Sequence, residues 1–304
     1  SPKYLVMVFD AKGKNFRHDI YDEYKANRNS MPAELSEQTG AIIDLVKALG
    51  VAVIQEKGVE ADDVIATLAR QIKIKNSKTI ISSGDKDLAQ LVDDNTILMN
   101  NFDSKVLDVE GVIEKFGVKP SQMFDYLCLV GDTSDNIPGV PKVGPKTAVT
   151  LLEQYNDLDN IIENSSQLKG KLKENIESSI DTIELAKKLV ALKDNLKLPI
   201  DSDQLKRSAA NKKKLETIIK KYELKTLSEK LNIKTKKDVI KKDYNLIRNL
   251  KELKKIIKEC KLSKIYSFDT ETTSLDFHKA ELVGFSLSYK NNLSFYCPLS
   301  HNSA

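Results

Sequence analysis

The chain has 304 residues, of which 40% are hydrophobic and 30% charged, a composition typical of a globular protein of about two domains. No apolar run approaches the roughly 18 residues that a membrane span needs, and no signal-peptide pattern appears, so we expect a cytoplasmic protein without membrane contact. The net charge of +4 is unevenly distributed, because residues 205–261 hold 20 Lys and Arg against 7 Asp and Glu. This stretch indicates either nucleic-acid binding or a solvated, lysine-rich face or linker.

The cysteines and histidines argue against a zinc site. Cys128, Cys260 and Cys297 are far apart and form no CxxC pair, which predicts reduced thiols. The three histidines are equally scattered. Any metal ion would therefore be held by oxygen ligands, which favours Mg²⁺ or Mn²⁺.

The first predicted element is a buried strand over residues 4–9 that ends in Asp10. Open α/β sheets place their chemistry at the carboxyl ends of parallel strands, where this acid would lie. Residues 11–28 then interleave cations with aromatic rings. That pattern suits a helix that binds nucleic acid, and equally an ordinary amphipathic helix. Its members are Lys12, Lys14, Phe16, Arg17, Tyr21, Tyr24, Lys25 and Arg28.

Helices and strands alternate over the next hundred residues. The apolar periodicity predicts helices over 32–49, 60–72, 109–116 and 120–130, and strands over 51–54, 79–81 and 96–99. This alternation is typical of an α/β fold built on a parallel sheet.

Acidic residues gather at the boundaries of these elements. Acids in the first turn of a helix are ordinary on their own, because the helix dipole favours them. Eight acids at ends that a parallel sheet brings to one edge cannot all ionise there without divalent cations. Two-metal phosphoryl chemistry uses such a cluster. The eight are Asp10, Glu60, Asp62, Asp63, Asp85, Asp87, Asp132 and Asp135.

A glycine-rich hairpin over 137–148 follows the last acidic pair. Its open backbone amides, backed by Lys142 and Lys146, suit the phosphates of a nucleic-acid backbone. Residues 150–230 have helical apolar spacing throughout, and 234–243 is charge-rich. A second α/β pattern then begins, with a helix over 250–260, a strand over 265–268 that leads into Asp269 and Glu271, and strands over 282–288 and 293–296.

Four motifs together resemble the 5′-nuclease domain of bacterial DNA polymerase I, a member of the flap endonuclease superfamily. They occur in the family's order and cover residues 1 to about 230. The motifs are Phe9-Asp10-Ala11-Lys12-Gly13-Lys14, Val59-Glu60-Ala61-Asp62-Asp63-Val64, Gly84-Asp85-Lys86-Asp87 and Gly131-Asp132-Thr133-Ser134-Asp135-Asn136-Ile137-Pro138-Gly139-Val140. Asp269-Thr270-Glu271 resembles the first motif of the polymerase's 3′-5′ exonuclease domain, although a DxE pair is also a common end of a strand.

The resemblance implies a domain plan. It predicts a parallel-sheet nuclease core of the PIN/FEN type over 1–136, a helix-hairpin-helix subdomain over 137–230, a linker over 231–245 and the start of an RNase H-like α/β domain over 246–304. The family begins with a further strand that bears an aspartate, followed by a helix, and this sequence starts after both. We therefore expect this chain to cleave poorly or not at all as it stands.

The resemblance also implies a site. The eight carboxylates are expected to bind two or more Mg²⁺ or Mn²⁺ ions, with Asp10, Lys25 and Arg28 catalytic. Asp269 and Glu271 are candidate metal ligands of the second domain. A K⁺ ion is expected at the hairpin. The expected DNA contacts are Lys14, Arg17, Tyr24, Lys25, Arg28, Gly139, Val140, Lys142, Gly144, Lys146 and Thr147.

The resulting hypothesis is a monomeric fragment of such a polymerase, which removes 5′ flaps and RNA primers in replication and repair. Its partners would be flapped, nicked, gapped or RNA-primed duplexes, with a polymerase domain in the same polypeptide. Two alternatives stay open, a stand-alone 5′ nuclease and a duplex-binding module without catalysis.

Overall fold

The computed structural model describes residues 2–71, 77–101, 105–198, 201–233 and 242–299. The chain divides into two compact units, residues 1–233 and residues 234–304, which are described separately here. The predicted linker over 231–245 falls largely on residues 234–241, which lie outside the described residues. The predicted boundaries at 136 and 230 stay predictions.

The first unit contains two small sheets. Their strands are β1 (Val6–Val8), β2 (Ala52–Ile54), β3 (Thr79–Ser82), β4 (Thr96–Met99) and β5 (Val106–Leu107). β1 pairs in parallel with β2 and β3 in parallel with β4, whereas the unpredicted β5 is antiparallel to β4. The predicted α/β class is confirmed. The single sheet that we expected is instead divided, within the described residues, into sheets of two and three strands.

Helices make up most of the rest of the first unit. They are α1 (Phe16–Ile20), α2 (Ala33–Ala48), α3 (Ala61–Gln71), α4 (Val109–Phe116), α5 (Met123–Val130), α6 (Pro145–Tyr155), α7 (Leu158–Glu163), α8 (Gly170–Ser178), α9 (Ile180–Val190), α10 (Lys212–Lys221) and α11 (Lys225–Lys230). Single 3₁₀ turns lie at Asp87–Leu91, Pro120–Gln122 and Ser165–Gln167. α2 ends where Gly50 adopts a φ of +78°, a conformation that favours glycine.

A large apolar core fixes the helix that leads to the last acidic pair. α5 contributes Met123 and Leu127, which pack with Leu152 of α6 and with Ile183 and Leu189 of α9. All five side chains are at most 2% exposed. Burial of each such side chain contributes about 1.5 to 3 kcal/mol, so the carboxyl end of α5 is firmly held.

The prediction of helix throughout 150–230 is wrong for residues 191–198 and 201–211. The Leu5 amide donates to the Leu205 carbonyl at 3.0 Å, and the Arg207 amide donates to the Lys3 carbonyl at 3.0 Å. Tyr4 and Lys206 form an antiparallel bridge between these contacts. Backbone groups of residues 205–207 that pair with residues 3–5, just before β1, are not available for the internal hydrogen bonds of a helix.

The second unit contains one sheet and one helix. Its elements are β6 (Asp243–Leu246), α12 (Leu250–Ser263), β7 (Ser267–Thr272), β8 (Leu282–Lys290) and β9 (Leu293–Pro298). The strand order is β6-β9-β8-β7, with β6 parallel to β9 and the other pairs antiparallel. β6 was not predicted, and β7 begins two residues later than predicted. Asp269 and Glu271 therefore lie inside β7, paired with Ser286 and Gly284, rather than beyond its end.

Among the described helices, none combines the length and the apolar character that a bilayer crossing requires. Cys128, Cys260 and Cys297 are buried free thiols, as predicted.

Candidate active site

Seven of the eight predicted carboxylates form a group at the element boundaries of the first unit, which we call the acidic cleft. Its members are Asp10, Glu60, Asp62, Asp85, Asp87, Asp132 and Asp135. Asp10 follows β1 and accepts the Ala61 amide at 2.8 Å, which ties the end of that strand to the start of α3. An opening of about 270 Å³ is lined by Arg28, Gly84, Asp85, Lys86, Asp132, Ser134 and Asp135.

Two carboxyl groups in the cleft are only partly compensated by positive charge, which comes from Lys25 for Asp62 and from Lys86 for Asp87. Burial raises the pKa of Asp62 to about 7, and the charges of Asp85, Glu60 and Asp10 add to that rise. Burial likewise raises the pKa of Asp87 to about 7, with further contributions from Asp85 and Asp132. The charge of Asp85 raises the pKa of both groups. We call the part of the cleft around Asp62 the Asp62 end and the part around Asp87 the Asp87 end, and Asp85 is shared by the two. The cleft therefore carries more negative charge than its own cations neutralise.

The Oδ1 atom of Asp87 is buried and has no hydrogen-bond partner among the described residues. A buried acceptor without a partner loses its hydration and gains nothing in return. Such an oxygen is suited to a ligand that the folded chain does not itself supply.

Basic side chains cover part of the cleft. Lys25 Nζ lies 2.5 Å from Glu60 Oε1 and 3.4 Å from Asp135 Oδ2, and Arg28 forms an ion pair with Asp135. The Tyr24 hydroxyl donates to Glu60 Oε2 at 3.0 Å, and its ring is 3% exposed. The burial of Tyr24 and the charge of Glu60 raise the pKa of this phenol, which keeps it a donor.

The segment that carries these basic side chains is not helical. Helix α1 ends at Ile20, and residues 22–27 form turns, with Lys25 at a φ of +57°. The Lys25 amide donates to the Asp135 carbonyl at 2.9 Å. The predicted helical spacing of Tyr24, Lys25 and Arg28 is therefore wrong, because contacts with the acidic cleft fix this segment in another conformation.

Asp63, the eighth predicted metal ligand, belongs to a different structure. Arg17 is 1% exposed, and its guanidinium donates to both oxygens of Asp63 at 2.8 Å. The Asp63 oxygens also accept the amides of Glu60 at 3.0 Å and Lys193 at 2.9 Å. Burial opposes ionisation, but the Arg17 guanidinium lowers the pKa of Asp63 below its usual value. This carboxylate is saturated by groups of the chain itself.

Arg17 also secures the carboxyl end of α9. It donates from Nε to the Leu189 carbonyl at 2.7 Å and from Nη2 to the Ala191 carbonyl at 2.8 Å. Arg17 donates four hydrogen bonds within the chain and is almost fully buried. The prediction that Arg17 contacts DNA is therefore wrong. Lys14 is exposed.

Lys86 is a charged residue of the cleft that we did not predict. Its Nζ lies 2.9 Å from Asp132 Oδ2. Asp132 is also held by the hydroxyl of Ser134, which donates to Oδ1 at 2.6 Å. Burial opposes ionisation of Asp132, yet Ser134 and Lys86 lower its pKa. The signal was present in the motif, since Lys86 stands between Asp85 and Asp87.

As the side chains stand, no three His, Cys, Asp or Glu residues in the described part of the chain are arranged to hold one metal ion. In the cleft, Glu60, Asp132 and Asp135 are paired with lysine and arginine side chains. In the second unit, Asp269 and Glu271 are exposed on one face of β7.

The predicted DNA-binding hairpin is partly buried. Val140 is 3% exposed, and its amide donates to the Leu129 carbonyl at 2.8 Å, so its side chain belongs to the core. A Cβ at Gly139 would lie 2.3 Å from the Val130 carbonyl oxygen, which explains the glycine there. Lys142 and Lys146 are exposed beside the start of α6, where Gly144 is the N-cap. Gly144 and Thr147 are partly exposed.

Two family descriptions match adjoining parts of the chain. Residues 1–117 match "5'-3' exonuclease, N-terminal resolvase-like domain", and residues 118–213 match "5'-3' exonuclease, C-terminal SAM fold". The 5′-3′ exonuclease of Aquifex aeolicus is 39% identical over 231 residues, which cover 76% of this chain and 79% of that protein. DNA polymerase I of Pseudomonas aeruginosa is 37% identical over 98% of this chain and 35% of that protein. The chain thus spans about a third of the DNA polymerase I relatives.

Two solved structures resemble the fold of part of this chain. A flap endonuclease of bacteriophage T5, in a pseudo-enzyme–product complex with DNA and metal ions, is 25% identical with a TM-score of 0.55. The match covers 62% of this chain and 74% of that one. A T5 protein co-crystallised with metal ions gives a TM-score of 0.55 at 23% identity, again over 62% of this chain and 75% of that one.

Proposed function

We propose that this chain, which belongs to the 5′-3′ exonuclease family, hydrolyses DNA phosphodiesters near 5′ ends with divalent metal ions bound in the acidic cleft. The observation that carries the proposal is the excess of negative charge in that cleft. The pKa values of Asp62 and Asp87 are both raised to about 7, and the charge of Asp85 contributes to both. Clustered carboxylates repel one another when they ionise, unless cations are bound among them. Bound cations are therefore part of the active form of such a site.

The donor set fits Mg²⁺ or Mn²⁺. All candidate ligands are carboxylate oxygens, which these ions prefer, and Asp87 Oδ1 is a buried oxygen without a partner among the described residues. One ion would be held at the Asp62 end by Asp10, Glu60, Asp62 and Asp85, and a second at the Asp87 end by Asp85, Asp87, Asp132 and Asp135. Bound divalent ions supply Lewis-acid activation and charge stabilisation in phosphoryl transfer. Asp63 is left out of this set because Arg17 and two amides saturate it.

Residues of the chain position the substrate. Lys25 and Arg28 rest on carboxylates that metal ions would neutralise. With metal ions bound to those carboxylates, the two basic side chains would be free to bind the phosphate at the cleavage site, where they would orient it and stabilise its charge. Tyr24, which donates to Glu60, would keep that carboxylate oriented.

The hairpin would hold the duplex at a distance from the cleft. Amides at the start of α6 and the exposed ammonium groups of Lys142 and Lys146 suit phosphate oxygens of the backbone. Such contacts position DNA and do not read its sequence. A K⁺ ion at this hairpin stays part of the proposal.

The length of the DNA polymerase I relatives supports a polymerase domain in the same polypeptide. The proposed substrates are flapped, nicked, gapped and RNA-primed duplexes, and the proposed state is a cytoplasmic monomer. A stand-alone 5′ nuclease is the second candidate. It is favoured by the compactness of residues 1–233 and by the similarity of 76% of this chain to 79% of the Aquifex exonuclease.

A labelled 5′-flap duplex tests the proposal. The assay uses excess protein and single-turnover conditions with Mg²⁺. The variant Asp132→Asn with Asp135→Asn is the comparison. We expect cleavage that requires the metal and that the double variant lowers at least about a hundredfold, since two ligands are lost.

Binding is scored in parallel by fluorescence anisotropy. A chain that binds the flap but releases no product, with or without the two substitutions, would contradict the proposed hydrolysis and support the alternative of a duplex-binding module. Cleavage that survives both the double variant and a chelator would contradict the assigned site.

A further inference from the structure

We propose that Lys86 stands, in the metal-free chain, where a divalent ion binds at the Asp87 end of the acidic cleft, and that it thereby lowers the affinity of that end for metal. The inference rests on the proposed function, because it concerns the same metal site. It assigns a role to a side chain that neither lies in the predicted ligand set nor belongs to the proposed phosphate-binding pair.

The contact of Lys86 is with one oxygen only. Its Nζ lies 2.9 Å from Asp132 Oδ2, in a cleft that Asp85 also lines. The Lys86 side chain is 41% exposed, whereas that of Asp132 is 8% exposed. A flexible lysine with a route to solvent can leave such a contact without disturbing the fold.

Asp132 does not need Lys86 to hold its position. Its other oxygen, Oδ1, accepts the Ser134 amide at 2.8 Å and the Ser134 hydroxyl at 2.6 Å. Its own backbone forms a bridge with Ile137. Lys86 therefore acts on the oxygen that Ser134 leaves open, which is the oxygen available to a metal ion.

The surroundings of Lys86 identify the ligand it replaces. Asp87 Oδ1 is buried without a partner among the described residues, and the negative charges of Asp85 and Asp132 act on the Asp87 carboxyl group. One ammonium group on Asp132 leaves this end undercompensated. A divalent cation carries twice the charge and can be shared by several oxygens. Metal entry then requires the loss of one ion pair, and the measured metal affinity includes that cost.

The experiment measures Mn²⁺ binding to the whole chain by isothermal titration calorimetry, without DNA and without catalysis. The variants are Lys86→Met, which removes the competing charge, and Lys86→Arg, which keeps it. Lys171→Met is the matched control, because Lys171 is exposed on α8. Circular dichroism and a thermal unfolding curve establish that each variant is folded.

We expect Lys86→Met to tighten Mn²⁺ binding at one site by about tenfold, the effect of removing one competing charge from a partly exposed pair. Lys86→Arg and Lys171→Met should both stay within about twofold of the parent chain. If the parent chain binds Mn²⁺ and Lys86→Met binds it with equal or weaker affinity, the inference is overturned and the proposed function is unaffected. Equal tightening in Lys171→Met would overturn it as well, as a general effect of net charge. An absence of Mn²⁺ binding by the parent would overturn both proposals.

Discussion

Asp62 and Asp63 are neighbours in the chain and lie in opposite electrostatic environments. Asp62 faces the acidic cleft, where burial and the charges of Asp85 and Glu60 raise its pKa to about 7. Asp63 is fully buried on Arg17, which lowers its pKa against the opposing effect of burial. Asp62 in α3 is thus available to a cation from solution, whereas the charge of Asp63, the next residue, is balanced by the Arg17 guanidinium.

The difference separates function from stability within a single turn of helix. A carboxylate that the fold compensates contributes to stability, and its loss should unfold the protein. A carboxylate that the fold leaves undercompensated opposes folding unless metal is bound, and its loss should stabilise the metal-free chain while it weakens metal binding at its own end of the cleft.

The largest expected effect comes from breaking the compensated pair. Arg17→Met leaves the Asp63 charge buried without its partner, which should lower the free energy of unfolding by about 3 to 5 kcal/mol. The measurement is urea unfolding of the metal-free chain at neutral pH. Adding Asp63→Asn to Arg17→Met removes the unpaired charge while an amide oxygen still accepts hydrogen bonds, and should recover part of the loss. If the double variant were no more stable than Arg17→Met, the unpaired charge would not be the cause.

Metal binding should distinguish the two neighbours next. With Mn²⁺ at a hundred times its dissociation constant, binding to the folded state alone stabilises the parent by about 2.7 kcal/mol. Asp62→Asn should lose the part of this metal-dependent gain that comes from the Asp62 end, whereas Asp63→Asn should start from a lower stability and keep most of the gain. Unfolding curves with Mn²⁺ and with a chelator measure both. A gain that disappeared in Asp63→Asn and persisted in Asp62→Asn would reverse the comparison.

A smaller effect should appear as a dependence on pH. Because the folded-state pKa of Asp62 is raised from 3.8 to about 7, ionisation disfavours the folded state increasingly as pH rises through that range. Asp62→Asn should therefore stabilise the metal-free chain by about 1 to 2 kcal/mol above neutral pH and have little effect at acid pH, given the coupling among the cleft carboxylates. Asp22→Asn, at an exposed position, is the control. Equal effects of Asp62→Asn at both pH values would exclude this cause.

The smallest effect should come from a second ion pair of α3. Arg70 pairs with Asp194, one residue beyond the Lys193 amide that Asp63 accepts, but the Arg70 side chain is 61% exposed. Arg70→Met should lower the free energy of unfolding by less than about 1 kcal/mol, because solvent screens the pair. A loss as large as that of Arg17→Met would show that burial is not what separates the two pairs.

The sequence was sufficient to predict the cleft because its acids stand at element boundaries. Asp85 follows β3 and Asp135 follows α5, as the alternation of strands and helices indicated. It could not separate Asp62 from Asp63, since adjacent acids at a helix start look alike until the partner of each is known. That partner, Arg17, lies 46 positions away from Asp63. Its cation–aromatic surroundings suggested a DNA contact, and only the tertiary fold buries it.

Two further differences have local physical causes. Lys25 and Arg28 fit a helical spacing, but ion pairs with Glu60 and Asp135 outweigh helix propensity in so short a segment. Asp269 was expected beyond the end of its strand, and cross-strand pairing with Ser286 extends β7 through it instead. Register between strands depends on the partner strand, which the pattern of one strand does not specify.

The hydrogen bond between Leu5 and Leu205 joins residues about 200 positions apart, and its neighbour joins Lys3 to Arg207. During synthesis at about 5 to 20 residues per second, residues 3–5 therefore wait some 10 to 40 seconds for this partner to leave the ribosome. Over that interval the backbone groups that pair with residues 205–207 in the folded chain lack these partners. The segment just before β1 should be open to aggregation and to chaperone binding during that time, and this exposure should end when the segment around Leu205 arrives.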